Sequence, residues 1–294
     1  MKGSDESGRQ IVPPPELTLD AITTALSSGQ GPGSHLRTLF YFAALLGGLA
    51  FIFARFPWHT PTACVTVPYS LTALYLTWRL ILSFFVEHEQ QFAGHPDPPN
   101  LFIDAYVHVS DAPHGWWWSS ILLLWVTVAC PAAHFEAVRR GMDARLVLAY
   151  IAVAFLGAVS LSFPLFFTHL GALPQLDSSF GFGERRPRTS CWWAWPACCG
   201  ASLFAILILP LSVHSSRDVF IVALLIVHGV LSLPFMFAAA LPPTERRSAQ
   251  SRLLLQPRDY LILFLATAIM HLITTGAALV HALQGNRSAM PEQW

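Results

Sequence analysis

The residues most able to do chemistry crowd into one short stretch. Glu87, His88 and Glu89 are followed by a connection, Gln90 to Gly115, that holds His95, Asp97, Asp104, His108, Asp111 and His114 but neither Lys nor Arg. If Leu101 to Ala112 is helical, Asp104, His108 and Asp111 stand at i, i+4 and i+7 and share one face within about 60°. Two acids flanking a histidine suit proton transfer. The plainer alternative has Asp111 capping the next helix ahead of Pro113, with Asp104 and His108 wetting an interface.

Directly after this stretch come Trp116, Trp117, Trp118, Ser119 and Ser120. Three tryptophans at a span boundary form an interface belt in most membrane proteins. Successive helical positions point about 100° apart, so at least one indole is expected to face inward. An inward indole beside a protonated acid would stabilise a carbocation.

These residues must be held by membrane helices. Hydrophobic residues make up 54% of the 294-residue chain, charged residues only 12%, and the mean hydropathy is +0.50. A soluble domain carries roughly 25% charged residues. The apolar residues gather into blocks of about 20, the length a helix needs to cross the hydrocarbon core. The expected fold is all-α, a polytopic membrane bundle of about seven helices over Leu36 to Phe56, Cys64 to Glu87, Trp116 to Val138, Arg145 to Leu170, Trp192 to Val213, Val219 to Leu241 and Tyr260 to Leu283. Six or eight spans stay open, because Pro210 and Pro234 interrupt two of these runs. The segment Asn100 to Gly115 is too short to cross and too apolar for a solvated loop, so an interfacial or re-entrant helix is expected.

The organisation expected is a disordered tail over residues 1–35, a bundle over 36–283 and a carboxyl-terminal tail over 284–294. No basic-then-apolar leader is visible at the start. The five cysteines read as packing residues, with Cys198 and Cys199 as palmitoylation candidates. With seven crossings, ten Lys and Arg fall on the amino-terminal side and six on the other, which favours a cytosolic amino terminus. The sequon at Asn286 lies too near the last span to be glycosylated well.

Arg79, inside the second span, is expected to snorkel or to pair with a carboxylate, unless that end faces a polar chamber. His228 and His271, mid-span, read as interhelical hydrogen-bond partners more readily than as catalytic groups. No zinc signature and no phosphate-cradling glycine loop is present, so no metal and no cofactor are expected.

The stretch Phe102-x-x-Ala105-Tyr106-x-x-Val109, followed by Trp116-Trp117-Trp118-Ser119-Ser120-x-Leu122-Leu123, resembles the fungal integral membrane terpene cyclases of meroterpenoid biosynthesis, of the macrophorin and ascofuranone type. The resemblance covers roughly 25 residues, and Ile121 stands where that pattern has a glutamine. It implies cyclisation of a farnesyl chain on an aromatic or quinol head, started by protonating a terminal alkene or epoxide, in the membrane of the endoplasmic reticulum.

On that expectation Asp104 or Asp111 donates the proton, with His108 orienting it and Glu87 and Glu89 as further candidates. Tyr106, Trp117 and Trp118, with Trp116, line the chamber, and His108 or His114 removes the last proton. Apolar burial and a like-charged neighbour would raise a carboxyl pKa as alkene protonation requires. The partners expected are a prenylated small molecule and the lipid bilayer, with no nucleic acid; the sequence does not fix the oligomeric state. The competing class is non-catalytic, a small transporter or a sterol- or lipid-binding scaffold. A transporter would show paired halves with matching broken helices, and none is visible.

Overall fold

In the computed structural model, residues 18, 20, 34–92, 101–111, 113–174, 193–213, 215–253, 255 and 257–288 are described, and among them the fold is helical throughout with no strand. Most of the expected tail over 1–35, the loop residues 93–100 that include His95 and Asp97, and the end of the carboxyl-terminal tail lie outside the described residues.

Among the described residues from Ser34 on, the α-helices follow in order as α1 Ser34–Phe53, α2 Pro61–Phe92, α3 Leu101–Asp111, α4 Pro113–Arg139, α5 Ala144–Leu156, α6 Val159–Ala172, α7 Ala194–Ser212, α8 Arg217–Gly229, α9 Leu233–Ala240, α10 Pro243–Arg252 and α11 Pro257–Ser288. A single 3-10 turn, Val230–Ser232, joins α8 to α9. Among the described residues five segments are long and apolar enough to cross a membrane: Pro61–Phe92, Gly115–Arg139, Ala194–Ser212, Arg217–Ala240 and Arg258–Val280. Their outer faces are apolar, with Leu80, Leu211 and Leu272 each at least 70% exposed. Water would not tolerate so continuous a greasy surface, and lipid does. The chain is a membrane protein. Its last helix also runs on to Ser288, beyond the expected end at Leu283.

The largest departure from expectation concerns Arg145 to Leu170, read as one span. The chain breaks at Gly157 and Ala158 and doubles back, so that α5 and α6 form a helical hairpin. Tyr150 Oη lies 3.0 Å from His169 Nδ1, and Ser162 donates its hydroxyl to the Tyr150 carbonyl. Arg140, just ahead of α5, donates to the carbonyls of Leu170 and Leu173 at 3.2 and 3.1 Å, closing the open end. With 13 and 14 residues, each arm is about 20 Å long at ~1.5 Å per residue. Neither crosses a ~30 Å hydrocarbon core alone. Continuous hydrophobicity conceals the turn, because both arms are apolar and largely buried.

Local chemistry shapes both ends of the hairpin. Asp143 caps α5 by accepting from the Arg145 backbone N–H at 2.8 Å, and its other oxygen meets Arg246 of α10 at 3.3 Å. At the tip, the Tyr41 hydroxyl of α1 donates to the Leu156 carbonyl, an orphan at the end of α5. A Cβ added to Gly157 would meet the Val153 carbonyl at 2.9 Å and Leu45 Cδ1 of α1 at 2.8 Å; the leucine tip can move but the backbone carbonyl cannot, so the turn favours glycine here.

Side-chain contacts define two ends of the bundle. At one, Trp117 of α4 donates to Thr275 of α11 at 3.0 Å. At the other, His134 of α4 meets the Gln250 carbonyl of α10 at 2.9 Å, Tyr260 donates to the Pro131 carbonyl at 3.0 Å, and Thr168 of α6 donates to Thr66 of α2 at 2.9 Å. The open end of the hairpin belongs to this second end. Proline within α4 is accommodated locally: Pro131 brings no N–H to the Thr127 carbonyl, and the Cys199 thiol takes that place at 3.6 Å.

Replacing Gly157 by alanine should cost about 1–3 kcal/mol through overpacking against the Val153 carbonyl. Gly47→Ala, with nothing within 4 Å of its added Cβ, should not lower stability. Thermal unfolding in detergent checks both, and equal midpoints would refute the close contact.

Candidate functional site

The hairpin tip reaches a cavity of about 780 Å³ inside the bundle. Its walls come from α1 (Tyr41), α2 (Trp78, Phe85), α3 (Ala105, Tyr106, Val109, Ser110), α4 (Trp116, Ser119, Trp125), the tip itself (Phe155, Gly157 to Ser160, Phe163), and α7 and α8 (Leu209, Leu224, His228). The lining is overwhelmingly carbon. Trp125 and Phe163 meet edge to face at 4.7 Å between ring centres. A space of this size and composition is typical of small-molecule sites.

Polar atoms in it are few and organised. The Tyr106 hydroxyl lies 2.9 Å from His228 Nε2, and His228 Nδ1 lies 2.8 Å from the Leu224 carbonyl one turn earlier. A carbonyl only accepts, so Nδ1 carries the hydrogen and, in the neutral ring, Nε2 is a bare acceptor. Tyr106 therefore donates to His228, and its oxygen keeps lone pairs for a third partner. Ser160 adds a second polar feature. Pro164, four residues on, has no N–H to give its carbonyl.

The α3 helix shows why the expected acids lie elsewhere. Ala105, Tyr106, Val109 and Ser110 face the cavity, which by helical geometry sets Asp104 and His108 about 150° away. Asp104 turns instead towards α2, where its carboxylate sits 3.3 Å from His88 Nε2. His88 is buried beside Phe92, at 4.7 Å between ring centres. His108 is exposed and packs its ring 5.6 Å from Phe84. Glu87 is exposed and Glu89 half-buried on α2, and neither lines the cavity. The side chains of Asp111 and His114 lie outside the described residues.

The tryptophan run divides three ways. Trp116 lines the cavity, Trp117 ties α4 to Thr275, and Trp118 is 66% exposed on the bundle surface. Tyr106 lines the cavity as expected, but its partner His228 was legible only as a lone ionisable residue in the apolar run Val219 to Leu241. Nothing in the sequence pairs the two. Tyr41 and Trp78 were missed for the same reason, since an aromatic residue in a span carries no mark of what it faces. Arg79 is exposed, and His271 is exposed on α11.

A second recess of about 570 Å³ lies towards the other end of the bundle and shares Pro164 and Phe167 with the first. Thr60, Thr62, Thr66 and Thr168 line it, giving an uncharged, hydroxyl-bearing wall. Among the described residues no group of three or more His, Cys, Asp or Glu side chains comes together as a metal site. Comparison of the chain with known protein families, curated proteins and solved structures gives no match.

A cavity of this composition should take an uncharged isoprenoid or alkyl chain. A chain brominated near its end should quench the emission of Trp116 and Trp125, and Ala105→Phe, which fills the α3 wall, should weaken that quenching about tenfold or more by displacing the chain. Undiminished quenching in the variant would place the chain outside the cavity.

Proposed function

We propose that this protein is a membrane-embedded terpene cyclase, which folds and cyclises the prenyl chain of a farnesylated phenol or quinol after protonation of its terminal alkene or epoxide. One observation carries the reading: an apolar, aromatic-walled cavity within the helical bundle whose polar lining includes a hydrogen-bonded tyrosine–histidine pair. Aromatic faces stabilise a cation by about 0.5–2 kcal/mol each, and apolar walls bordered by lipid limit the water that could quench it. The resemblance around Tyr106 and Trp116 points the same way. Cyclisation of this kind is an isomerisation or a proton-neutral ring closure, and it needs neither metal nor cofactor.

The starting proton is assigned to Asp104, the one carboxyl of α3 whose side chain is described, on the face turned from the cavity towards His88, with Asp111, Glu87 and Glu89 as further donors. Asp104 and His88 form a carboxyl–imidazole pair at 3.3 Å behind the cavity's α3 wall. A non-catalytic lipid- or sterol-binding role is favoured by one feature, the lack of any carboxylate among the described lining residues.

For the membrane topology we propose six crossings with α5–α6 as a re-entrant hairpin, the sixth crossing being α1 at 20 residues. Seven crossings would place the beginning of α7 at the opposite end from the end of α4, yet Trp195, at the start of α7, packs on His134, near the end of α4, at 5.7 Å between ring centres. With six, Arg55, Arg139, Arg140, Arg145, Arg185, Arg186, Arg188, Arg246, Arg247, Arg252 and Arg258 share one side, against Lys2, Arg9, Arg37, Arg217 and Arg287 on the other. That bias turns the expected orientation over, placing both termini and α3 on the exoplasmic or lumenal side. A location in the endoplasmic reticulum goes with the resemblance.

Membranes carrying the protein, supplied with a farnesylated phenol and with its terminal epoxide, should yield a cyclised product from one of them by mass spectrometry. Asp104→Asn should lower the rate by about 100-fold or more if its carboxyl is the donor. Chain binding without product from either substrate would favour the lipid-binding role instead.

A further inference from the structure

We propose that Tyr106 and His228 form the proton relay that ends the reaction, with Tyr106 as the group touching substrate and His228 as the proton's store; this rests on the cyclase reading above. The geometry supplies every link. The Leu224 carbonyl fixes the His228 ring through Nδ1–H, so Nε2 faces Tyr106 at 2.9 Å. The two side chains come from α3 and α8, and both line the cavity. The rings meet edge to face at 5.1 Å, and Phe155 packs on the imidazole from the hairpin tip at 6.2 Å. The phenol oxygen, having given its hydrogen to His228, has lone pairs free for a proton arriving from the cavity.

A cyclised cation is neutralised when a C–H bond beside the cationic carbon breaks. Its electron pair becomes the new C=C bond. The proton goes to the Tyr106 oxygen as the tyrosine's own proton passes to His228 Nε2, leaving a neutral phenol and an imidazolium. One proton is consumed at the start and one released at the end, so the protein returns to its first state when His228 gives its proton up. No carboxylate is needed at the terminating site, in keeping with a lining that shows none among the described residues. The sequence expectation had given this last step to His108 or His114; His108 is exposed on the other face of α3.

The test uses the full-length protein in membranes with the substrate that the wild type cyclises, comparing Tyr106→Phe and His228→Gln. Both variants should keep KM within about twofold while kcat for the native product falls by about 100-fold or more, with water-quenched or double-bond-shifted products rising in its place. Equal membrane levels and elution profiles exclude misfolding. Should His228→Gln misfold, Tyr106→Phe decides, since it removes one oxygen and keeps the ring. Native product at the wild-type rate from a folded variant would overturn the relay and leave the cyclase reading standing. No product from the wild type itself would overturn both.

Discussion

A peptide group inside a bilayer has no water to bond, so a chain that turns within the bundle must find protein partners for every N–H and C=O it exposes. The α5–α6 hairpin depends on meeting that demand at its tip. Tyr41 reaches across from α1 to take up the Leu156 carbonyl, and Gly157, with no Cβ to press on the Val153 carbonyl, makes the turn beside it. At the open end Arg140 takes up two more carbonyls. The irregular backbone left over lines a cavity rather than meeting lipid, the one setting in which such backbone is tolerated at depth.

The rest of the bundle follows from this turn. Because the hairpin fills the middle without passing through, α2, α3, α4 and α8 enclose space above its tip, and that space is the cavity. Large side chains that would close it in a solid bundle, Trp78, Trp116 and Trp125 among them, stand around its wall. The small residues Gly157 and Ala158 mark its floor. Within it, Tyr106 is paired with His228, while the buried Trp78 indole N–H on the same wall has no hydrogen-bond partner among the described residues.

The sequence showed the fold class and most helices plainly, because long apolar runs have one physical explanation. It showed the short helix α3, Leu101–Asp111, which is too short to span and too apolar for a solvated loop. It could not show the turn at Gly157, where hydrophobicity continues unbroken and only the backbone changes direction. The site suffered from the same blindness. Asp104, His108 and Asp111 share a helical face as their spacing requires, but spacing does not say whether that face or its opposite meets the cavity. Tyr106 lies on the opposite face, and its partner His228 is 122 residues away in sequence. Pairings of that range are set by packing alone.

The account stands or falls on whether α5 and α6 re-enter rather than cross. Single cysteines at Arg139 and Pro174, in a background free of the native cysteines, can be tested in sealed vesicles with a membrane-impermeant maleimide. Both sites flank the hairpin and are exposed, and Gln90, also exposed, serves at the other end of the bundle. The account predicts that Arg139→Cys and Pro174→Cys are modified from the same side and Gln90→Cys from the opposite one. Modification of the two flanking sites from opposite sides would mean that the segment crosses, and would remove both the hairpin and the cavity built on it.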